Sequence, residues 1–172
     1  MNNTQYYLDT FGTSERELER VTSAALSRGG DYCDLYFEYT TYFNLLLRDG
    51  VVSSGGFHTD YGVGIRVLKG EKTGYAYAEN TDFSEMIKAA NAASAIANGV
   101  TDSRAYAKVC DRSLNTYPTA KNWREVSADS FLPFLKSLET KVFQKDNRIV
   151  KVIVRLSDSV SDVMMYNSLG EL

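Results

Sequence analysis

The sequence predicts an α+β fold, a mainly antiparallel sheet with helices packed on one face, in the order α-β-β-β-β-α-α-β-β. Three observations predict this class. Several stretches alternate apolar and polar residues with a period of two, which is typical of strands with one buried face. Other stretches carry apolar residues at helical spacing. Short turns join neighbouring strands, which favours antiparallel pairing because parallel strands need long crossovers.

The first predicted elements are a helix, a long strand and a hairpin turn. The helix is expected to begin after Ser14, because a serine followed three residues later by Glu17 forms a capping box, and to end at Gly29-Gly30. Residues 35–47 then alternate and predict a strand with one face in a core. Asp49-Gly50 favours a type I′ turn that returns the chain as a second strand.

The next strands complete a predicted four-stranded meander. Serines and glycines over residues 53–56 predict a bulge or bend in the returning chain. Alternation resumes over residues 61–68, and a turn at residues 69–72 leads into a strand over residues 73–78. The buried face is expected to pack under the helices near residues 14–28 and 83–97, and it carries Phe37, Tyr39, Phe43, Val63, Ile65 and Val67.

The second half of the chain predicts two helices and a hairpin. An alanine-rich apolar stripe over residues 83–97 predicts a helix that packs closely on the sheet. Residues 100–126 show no sustained period and are interpreted as a long connection. A further helix is expected from about residue 127 to 146, with its start blurred by a proline. Residues 150–167 alternate around Asp158-Ser159, which predicts a second hairpin.

The composition excludes several classes of function. The chain has 172 residues, 44% of them hydrophobic, which suits one globular domain with a core of its own. Its net charge of -3 has the wrong sign for a protein that binds nucleic acid by neutralising phosphates. No apolar run approaches the roughly 20 residues that span a bilayer and no signal peptide is visible, so a cytoplasmic protein without membrane contact is expected. The last residues resemble the opening of a further strand, so truncation is expected.

The residues predict no catalytic or metal site of the chain's own. A zinc hydrolase needs about three protein ligands, and His58 is the only histidine. His58 is therefore expected to be an exposed or hydrogen-bonded loop residue. Cys33 and Cys110 lie far apart in the sequence and are expected to be reduced and buried. Two pairs of carboxylates are interpreted as solvated charges, namely Asp31 with Asp34 and Asp158 with Asp162.

Four segments resemble the N-terminal domain of the TldD/PmbA family in their order and spacing. They are residues 31–38 (DYCDLYFE), 48–52 (RDGVV), 60–67 (DYGVGIRV) and 70–78 (GEKTGYAYA). The last of them is similar to the TldD branch rather than the PmbA branch. The strand near residues 163–170, which ends in NSLG, resembles the end of the family's domain. Members of this family also carry the label of proposed modulators of DNA gyrase.

The resemblance implies a zinc-dependent peptidase that acts on peptides or unfolded protein segments. It also implies a dimer, formed either by identical subunits or with a paralogous subunit. The family's metal ligands, a His-Glu-x-x-x-His helix and a further cysteine, belong to its C-terminal half. Since no segment of this chain matches them, residues 1–172 are expected to be an N-terminal domain truncated before that half, and zinc is expected in the missing half. No catalytic or metal residue transfers to this chain, and the role of His58 stays open.

Two hypotheses about function remain open. In the first, the chain is the substrate- or partner-binding domain of a TldD-like zinc metallopeptidase that acts on peptides. In the second, it is a non-enzymatic peptide- or protein-binding adaptor that pairs with its partner at a sheet edge. In the first, an extended peptide is expected to bind by backbone hydrogen bonds near Gly62, Gly64 and Gly74, where missing side chains permit close approach. The alternative for these glycines is that they accommodate a packed helix.

Overall fold

The computed structural model describes residues 3–96 and 121–172, and this part of the chain contains four α-helices and four strands. The helices are α1 (Asn3–Phe11), α2 (Glu15–Leu26), α3 (Phe83–Ser94) and α4 (Leu132–Phe143). The strands are β1 (Tyr32–Arg48), β2 (Val51–Lys69), β3 (Lys72–Ala78) and β4 (Ile153–Asn167). Two short 3-10 turns, Trp123–Glu125 and Ala128–Phe131, precede α4. In the described residues no helix has the length and apolar character needed to cross a bilayer.

The four strands form one antiparallel sheet in the order β3-β2-β1-β4, so the predicted α+β class is confirmed. The turn between β1 and β2 fits the predicted type I′ turn, since Asp49 and Gly50 both have positive φ angles, of 52° and 76°. Between β2 and β3 the register places Val63 opposite Ala78 and Arg66 opposite Tyr75. Strands β1 and β2 lie inside the sheet, whereas β3 and β4 form its edges.

Helix α2 begins where the capping box predicts. Ser14 is the N-cap residue, and its Oγ accepts a hydrogen bond from the Glu17 amide at 3.3 Å. The Glu17 carboxylate accepts in turn from the Ser14 hydroxyl at 3.1 Å. The Glu17 amide is one of the groups that a helix start leaves without an intrahelical partner, and the Ser14 side chain satisfies it. The buried stripe of the helix comprises Leu18, Val21, Thr22, Ala25 and Leu26.

The described residues divide into two compact units. The first unit takes its residues from 1–39, 61–116 and 162–172, and the second unit takes its residues from 40–60 and 117–161. Strands β1, β2 and β4 contribute residues to both units. Each unit has a hydrophobic cluster of its own.

The core of the first unit lies between helices α1 to α3 and one face of the sheet. The predicted buried face is confirmed for four residues that are at most 2% exposed, Phe37, Val63, Ile65 and Val67. Tyr39 is only half-buried but packs against the same cluster. The prediction is wrong for Phe43, which packs in the second unit instead of under the helices of the first.

The core of the second unit joins α4 to residues of β1 and β4. Its buried members are Phe43, Leu45, Leu47 and Leu135, with Val154 and Leu156 packed against them. Glu139 of α4 is buried as well, and its Oε1 accepts a hydrogen bond from the Gly50 amide at 3.0 Å. This hydrogen bond fastens the hairpin turn to the helix.

From α2 onward the succession of helices and strands follows the prediction, except that the six predicted strands merge into four. The expected interruption at residues 53–56 is wrong, because β2 is continuous from Val51 to Lys69. The second hairpin is also wrong, because β4 runs without a turn through Asp158-Ser159. Exposed and half-buried side chains keep alternating along that stretch. A sustained period of two favours a continuous strand over a turn that lacks glycine.

The helices also depart from the prediction at their ends. Helix α1 is not predicted, yet its Leu8 and Phe11 are buried in the first core. Pro133 lies in the first turn of α4, where the missing amide costs no helical hydrogen bond. Helix α3 ends at Ser94, before the predicted residue 97. The predicted connection over 100–126 lies outside the described residues as far as residue 120.

Candidate functional site

The outward face of the sheet in the first unit is the candidate binding surface. It carries the positions of each strand that alternate with the buried ones, and we call it the open face. Its exposed large side chains are Tyr36, Tyr75, Tyr77, Val163 and Met165. Tyr75 and Tyr77 of the edge strand are 65% and 69% exposed. Large apolar side chains that gather on one exposed face are typical of a binding surface.

The centre of the open face is held by an ion pair between neighbouring strands. The Arg66 guanidinium contacts both carboxylate oxygens of Asp34, with its Nε 3.1 Å from Oδ1 and 3.2 Å from Oδ2. The Asp34 side chain is 10% exposed, whereas that of Arg66 is 49% exposed. Hydrogen bonding to Asp34 raises the pKa of Arg66. The two charges compensate each other, so the middle of the face presents no net charge to a ligand.

Two of the predicted peptide-binding glycines lie in an inner strand. Gly62 and Gly64 belong to β2, which pairs with β1 on one side and β3 on the other. Gly62 has a φ angle of +155°, and a Cβ there would collide with the Ala78 carbonyl oxygen. A Cβ on Gly64 would lie 2.6 Å from the Tyr75 hydroxyl oxygen, because the Tyr75 ring covers this glycine. A ligand can therefore approach Gly62 and Gly64 only from a face of the sheet.

The third glycine, Gly74, belongs to the edge strand and is buried. A Cβ on Gly74 would collide with the Ala93 carbonyl oxygen of α3 and with the Ile96 side chain. Gly74 thus lets the end of α3 approach the sheet, as the helix-packing alternative predicts. The peptide-binding role of the three glycines stays a prediction.

His58 lies in strand β2 and not in the predicted loop. Its side chain is 68% exposed, and its Nε2 lies 2.8 Å from Asp60 Oδ1. The imidazole also stacks on Tyr42, with ring centroids 5.7 Å apart. The expectation of an exposed or hydrogen-bonded loop histidine is therefore confirmed for the exposure and the partner and wrong for the loop.

Three of the four carboxylates singled out in the sequence, Asp31, Asp34 and Asp162, take part in structural contacts. Asp31 accepts hydrogen bonds at 2.8 Å from Lys69 Nζ and from the Gly70 amide, and these bonds lower its pKa. The interpretation as a solvated charge is wrong for Asp34, because its side chain is 10% exposed and is paired with Arg66 of the neighbouring strand. Asp162 accepts from the Tyr6 hydroxyl at 3.3 Å. None of these contacts has the form of a carboxylate pair that shares a proton.

The described residues do not form a zinc site. Within 3–96 and 121–172, no three histidine, cysteine, aspartate or glutamate side chains come close enough to hold a metal ion. Cys33 is fully buried, and desolvation raises the pKa of its thiol to about 12, so at neutral pH it carries the proton that a zinc ligand must lose. Cys110 lies outside the described residues. The expected position of zinc in another part of a longer protein stays a prediction.

The second unit contains a small aromatic pocket that the sequence analysis does not predict. Trp123 stacks on Phe131 at 5.7 Å, and Phe131 stacks on Phe43 at 5.9 Å. The pocket between Phe43, Phe57 and Trp123 holds about 30 Å³, which is room for one small group. Arg124 borders it and donates to Thr41 Oγ1 at 3.2 Å and to the Val160 carbonyl at 3.0 Å. The signal available in the sequence was the single tryptophan within an irregular stretch.

Comparison with known proteins identifies the relatives of this chain. Residues 33–97 match the family model described as PmbA/TldA metallopeptidase domain 1. Over 163 residues the chain is 29% identical to the metalloprotease TldD homolog of Haemophilus influenzae, a match that covers 92% of this chain and 33% of the relative. These matches support the resemblance of this chain to the TldD/PmbA family. A metalloprotease TldD homolog of Buchnera aphidicola subsp. Schizaphis graminum is 28% identical over 83% of this chain and 29% of its own length.

Two solved structures share the fold of this chain. A proposed modulator of a DNA gyrase from Thermotoga maritima superposes with a TM-score of 0.64 at 22% identity, over 91% of this chain and 35% of that one. TldE from Thermococcus kodakarensis superposes with a TM-score of 0.61 at 15% identity, over 90% of this chain and 35% of that one. The chain spans about a third of the length of the curated relatives that it matches. Residues 33–97 are the part of the chain that is similar to the first domain of the TldD/PmbA family.

Proposed function

We propose that this chain is the substrate- and partner-binding domain of a TldD-like zinc metallopeptidase that acts on peptides or unfolded protein segments. The observation that carries the proposal is the open face, where exposed aromatic residues stand beside the edge strand β3. The domain supplies binding and holds no catalytic residue of its own. Similarity to the TldD/PmbA family and to metalloprotease TldD homologs supports the class of substrate.

Strand β3 suits the capture of an extended peptide. An edge strand offers backbone amide and carbonyl groups to a further strand, and such pairing depends little on the peptide's sequence. Tyr75 and Tyr77 project from the same strand onto the open face, where they can pack against alternate side chains of the peptide. The contact between Gly74 and α3 holds β3 in place from the opposite face.

In this proposal the complete protein, and not this domain alone, hydrolyses the peptide. Zinc is expected in a C-terminal half that carries a His-Glu-x-x-x-His helix, where it would activate a water for attack on the peptide bond. The complete protein is expected to be cytoplasmic and to act as a dimer, either with itself or with a paralogous subunit. No partner of nucleic-acid or membrane type is proposed for this domain, because its net charge is -3.

The second candidate function is a non-enzymatic adaptor that binds a partner strand at the same edge. The edge strand itself favours it, since strand pairing needs no catalytic group. The native reading frame separates the two candidates. A downstream His-Glu-x-x-x-His motif supports the peptidase, and a stop codon after Leu172 supports the adaptor.

Peptide binding to the purified chain tests the proposal. The probe is a short fluorescein-labelled peptide of alternating valine and serine, and the readout combines anisotropy with amide exchange of β3. We expect binding to slow exchange in β3, and Tyr75→Ala with Tyr77→Ala to weaken binding about tenfold, because exposed aromatic anchors carry much of the energy of such contacts. Phe57→Ala serves as the control, because Phe57 is an equally exposed aromatic residue of the second unit.

Gly64→Val refines the test. The Tyr75 ring that covers Gly64 can swing aside, so we expect the variant to fold and to lose peptide affinity as the ring leaves its position. The proposal would be contradicted if peptide binding left the amide exchange of β3 unchanged. It would also be contradicted if Phe57→Ala lost as much peptide affinity as the Tyr75→Ala and Tyr77→Ala variant.

A further inference from the structure

One flank of helix α4 in the second unit carries exposed apolar and basic side chains at helical spacing. Phe134, Leu138, Lys141, Val142 and Lys145 follow one another at intervals of i, i+4, i+7, i+8 and i+11. This spacing places them on one side of the helix and of the turn that continues it. Phe134 is 58% exposed and Val142 is 41% exposed, while Leu138 is half-buried. We call this set the α4 stripe.

The α4 stripe has a positive charge that the described residues do not compensate. Lys141 and Lys145 are exposed and form no ion pair within the described part of the chain. The two nearest carboxylates in the sequence are engaged elsewhere. Glu139 is buried and accepts from the Gly50 amide, and Asp146 pairs with Arg148 at 2.6 Å. The α4 stripe therefore exposes apolar and basic side chains and includes no acidic side chain.

We propose that the α4 stripe binds an amphipathic helix of a partner protein whose apolar residues are flanked by glutamate or aspartate. Phe134 and Val142 would pack against the apolar residues of that helix, and Lys141 and Lys145 would face its carboxylates. The helical period of the stripe favours a helical partner, because ridges at this spacing fit the grooves of a second helix. Charge complementarity selects an acidic partner.

Other anionic partners fit the chain less well. A membrane would need a continuous apolar face to insert, but the most apolar side of α4, at Leu135, is turned into the core. A nucleic acid extends beyond the α4 stripe, and the net charge of -3 on the chain would repel it there. A protein helix contacts only the local surface, so the charge of the rest of the chain matters less to it.

The test uses the full 172-residue chain and a designed peptide. The probe is a fluorescein-labelled amphipathic helix with leucines on one side and glutamates on both flanks, and a matched peptide carries glutamine in place of glutamate. We expect the acidic peptide to bind and the glutamine peptide to bind about tenfold more weakly. Lys141→Glu should weaken binding about three- to fivefold, and Lys141→Glu with Lys145→Glu about tenfold or more. Phe134→Ala should also cost about tenfold.

The matched control is Lys136→Glu, which makes the same change of charge on the other flank of the same helix. Its affinity for the acidic peptide should stay within about twofold of the wild type, and circular dichroism should show all variants folded. Equal losses in Lys136→Glu and Lys141→Glu, or equal affinity for the two peptides, would overturn the proposal. So would the absence of saturable binding, a preference for phosphatidylserine vesicles or duplex DNA, or self-association of the chain through the stripe.

Discussion

Gly74 lies against the backbone of α3. The contact joins residues 74 and 93, which are distant in sequence, and a Cβ at residue 74 would collide with the Ala93 carbonyl oxygen. The sequence singles out Gly62, Gly64 and Gly74 alike and leaves two explanations for them, close packing and peptide approach. Spacing along the chain carries no information about which distant backbone lies beside each glycine. The atoms that an added Cβ would meet distinguish the three glycines, because they show which residue lies beside each one.

The first prediction concerns this close approach. Gly74→Val should destabilise the chain by at least about 2 kcal/mol, because the new side chain must displace backbone of α3 rather than a mobile group. Gly56→Ala is the control, since a Cβ there meets no atom within 4 Å. Urea denaturation measures both free energies of unfolding. Similar stabilities for the two variants would show that α3 does not rest on Gly74.

Strands β2 and β4 continue through residues that are typical of turns. Two glycines and two serines in β2 favour a break, but residue 55 lies against Leu45 of β1, and pairing continues past it. In β4 the polar pair Asp158-Ser159 occupies strand positions. Periodicity predicts the strands and the faces they bury, whereas the points where strands end depend on neighbours supplied by other parts of the chain.

The second prediction concerns the link between α4 and the β1–β2 turn. Glu139→Leu should destabilise the second unit by about 1 to 3 kcal/mol, because it leaves the Gly50 amide without its acceptor in a partly buried site. Glu139→Gln keeps an acceptor oxygen and should cost less. Hydrogen exchange of the Gly50 amide measures the effect directly. Exchange at the wild-type rate in Glu139→Leu would show that the hydrogen bond does not hold the turn.

At the scale of the whole molecule, the α+β class and the TldD/PmbA resemblance both follow from the sequence. The class follows because alternation and helical spacing extend over long stretches, and the resemblance follows because four segments match in register. The open face could be predicted only in part. Its tyrosines are visible as an alternating set in residues 73–78. Their exposure depends on which face of the sheet the helices cover. The aromatic pocket depends on contacts between residues about ninety apart in the sequence, such as Phe43 and Phe131.

The third prediction follows from the metal chemistry of the whole chain. The purified 172-residue protein should carry no stoichiometric zinc at neutral pH and should cleave no peptide, because its described residues provide no set of three ligands. His58→Ala in the complete protein should leave the zinc content unchanged, since His58 is exposed and partnered with Asp60. Elemental analysis measures both. Tightly bound zinc in the 172-residue protein, or its loss from His58→Ala, would place the metal site in this domain.

The stacking of Trp123 on Phe131 has a spectroscopic consequence. The two rings are nearly parallel, with 3° between their planes, and Trp123 is the only indole in the chain. Selective excitation of that indole therefore yields an emission signal from the second unit alone. Many of the twelve tyrosines belong to the first unit, so their absorbance follows a different region. Melting curves recorded at the two chromophores would coincide if the units unfold together and separate if they do not.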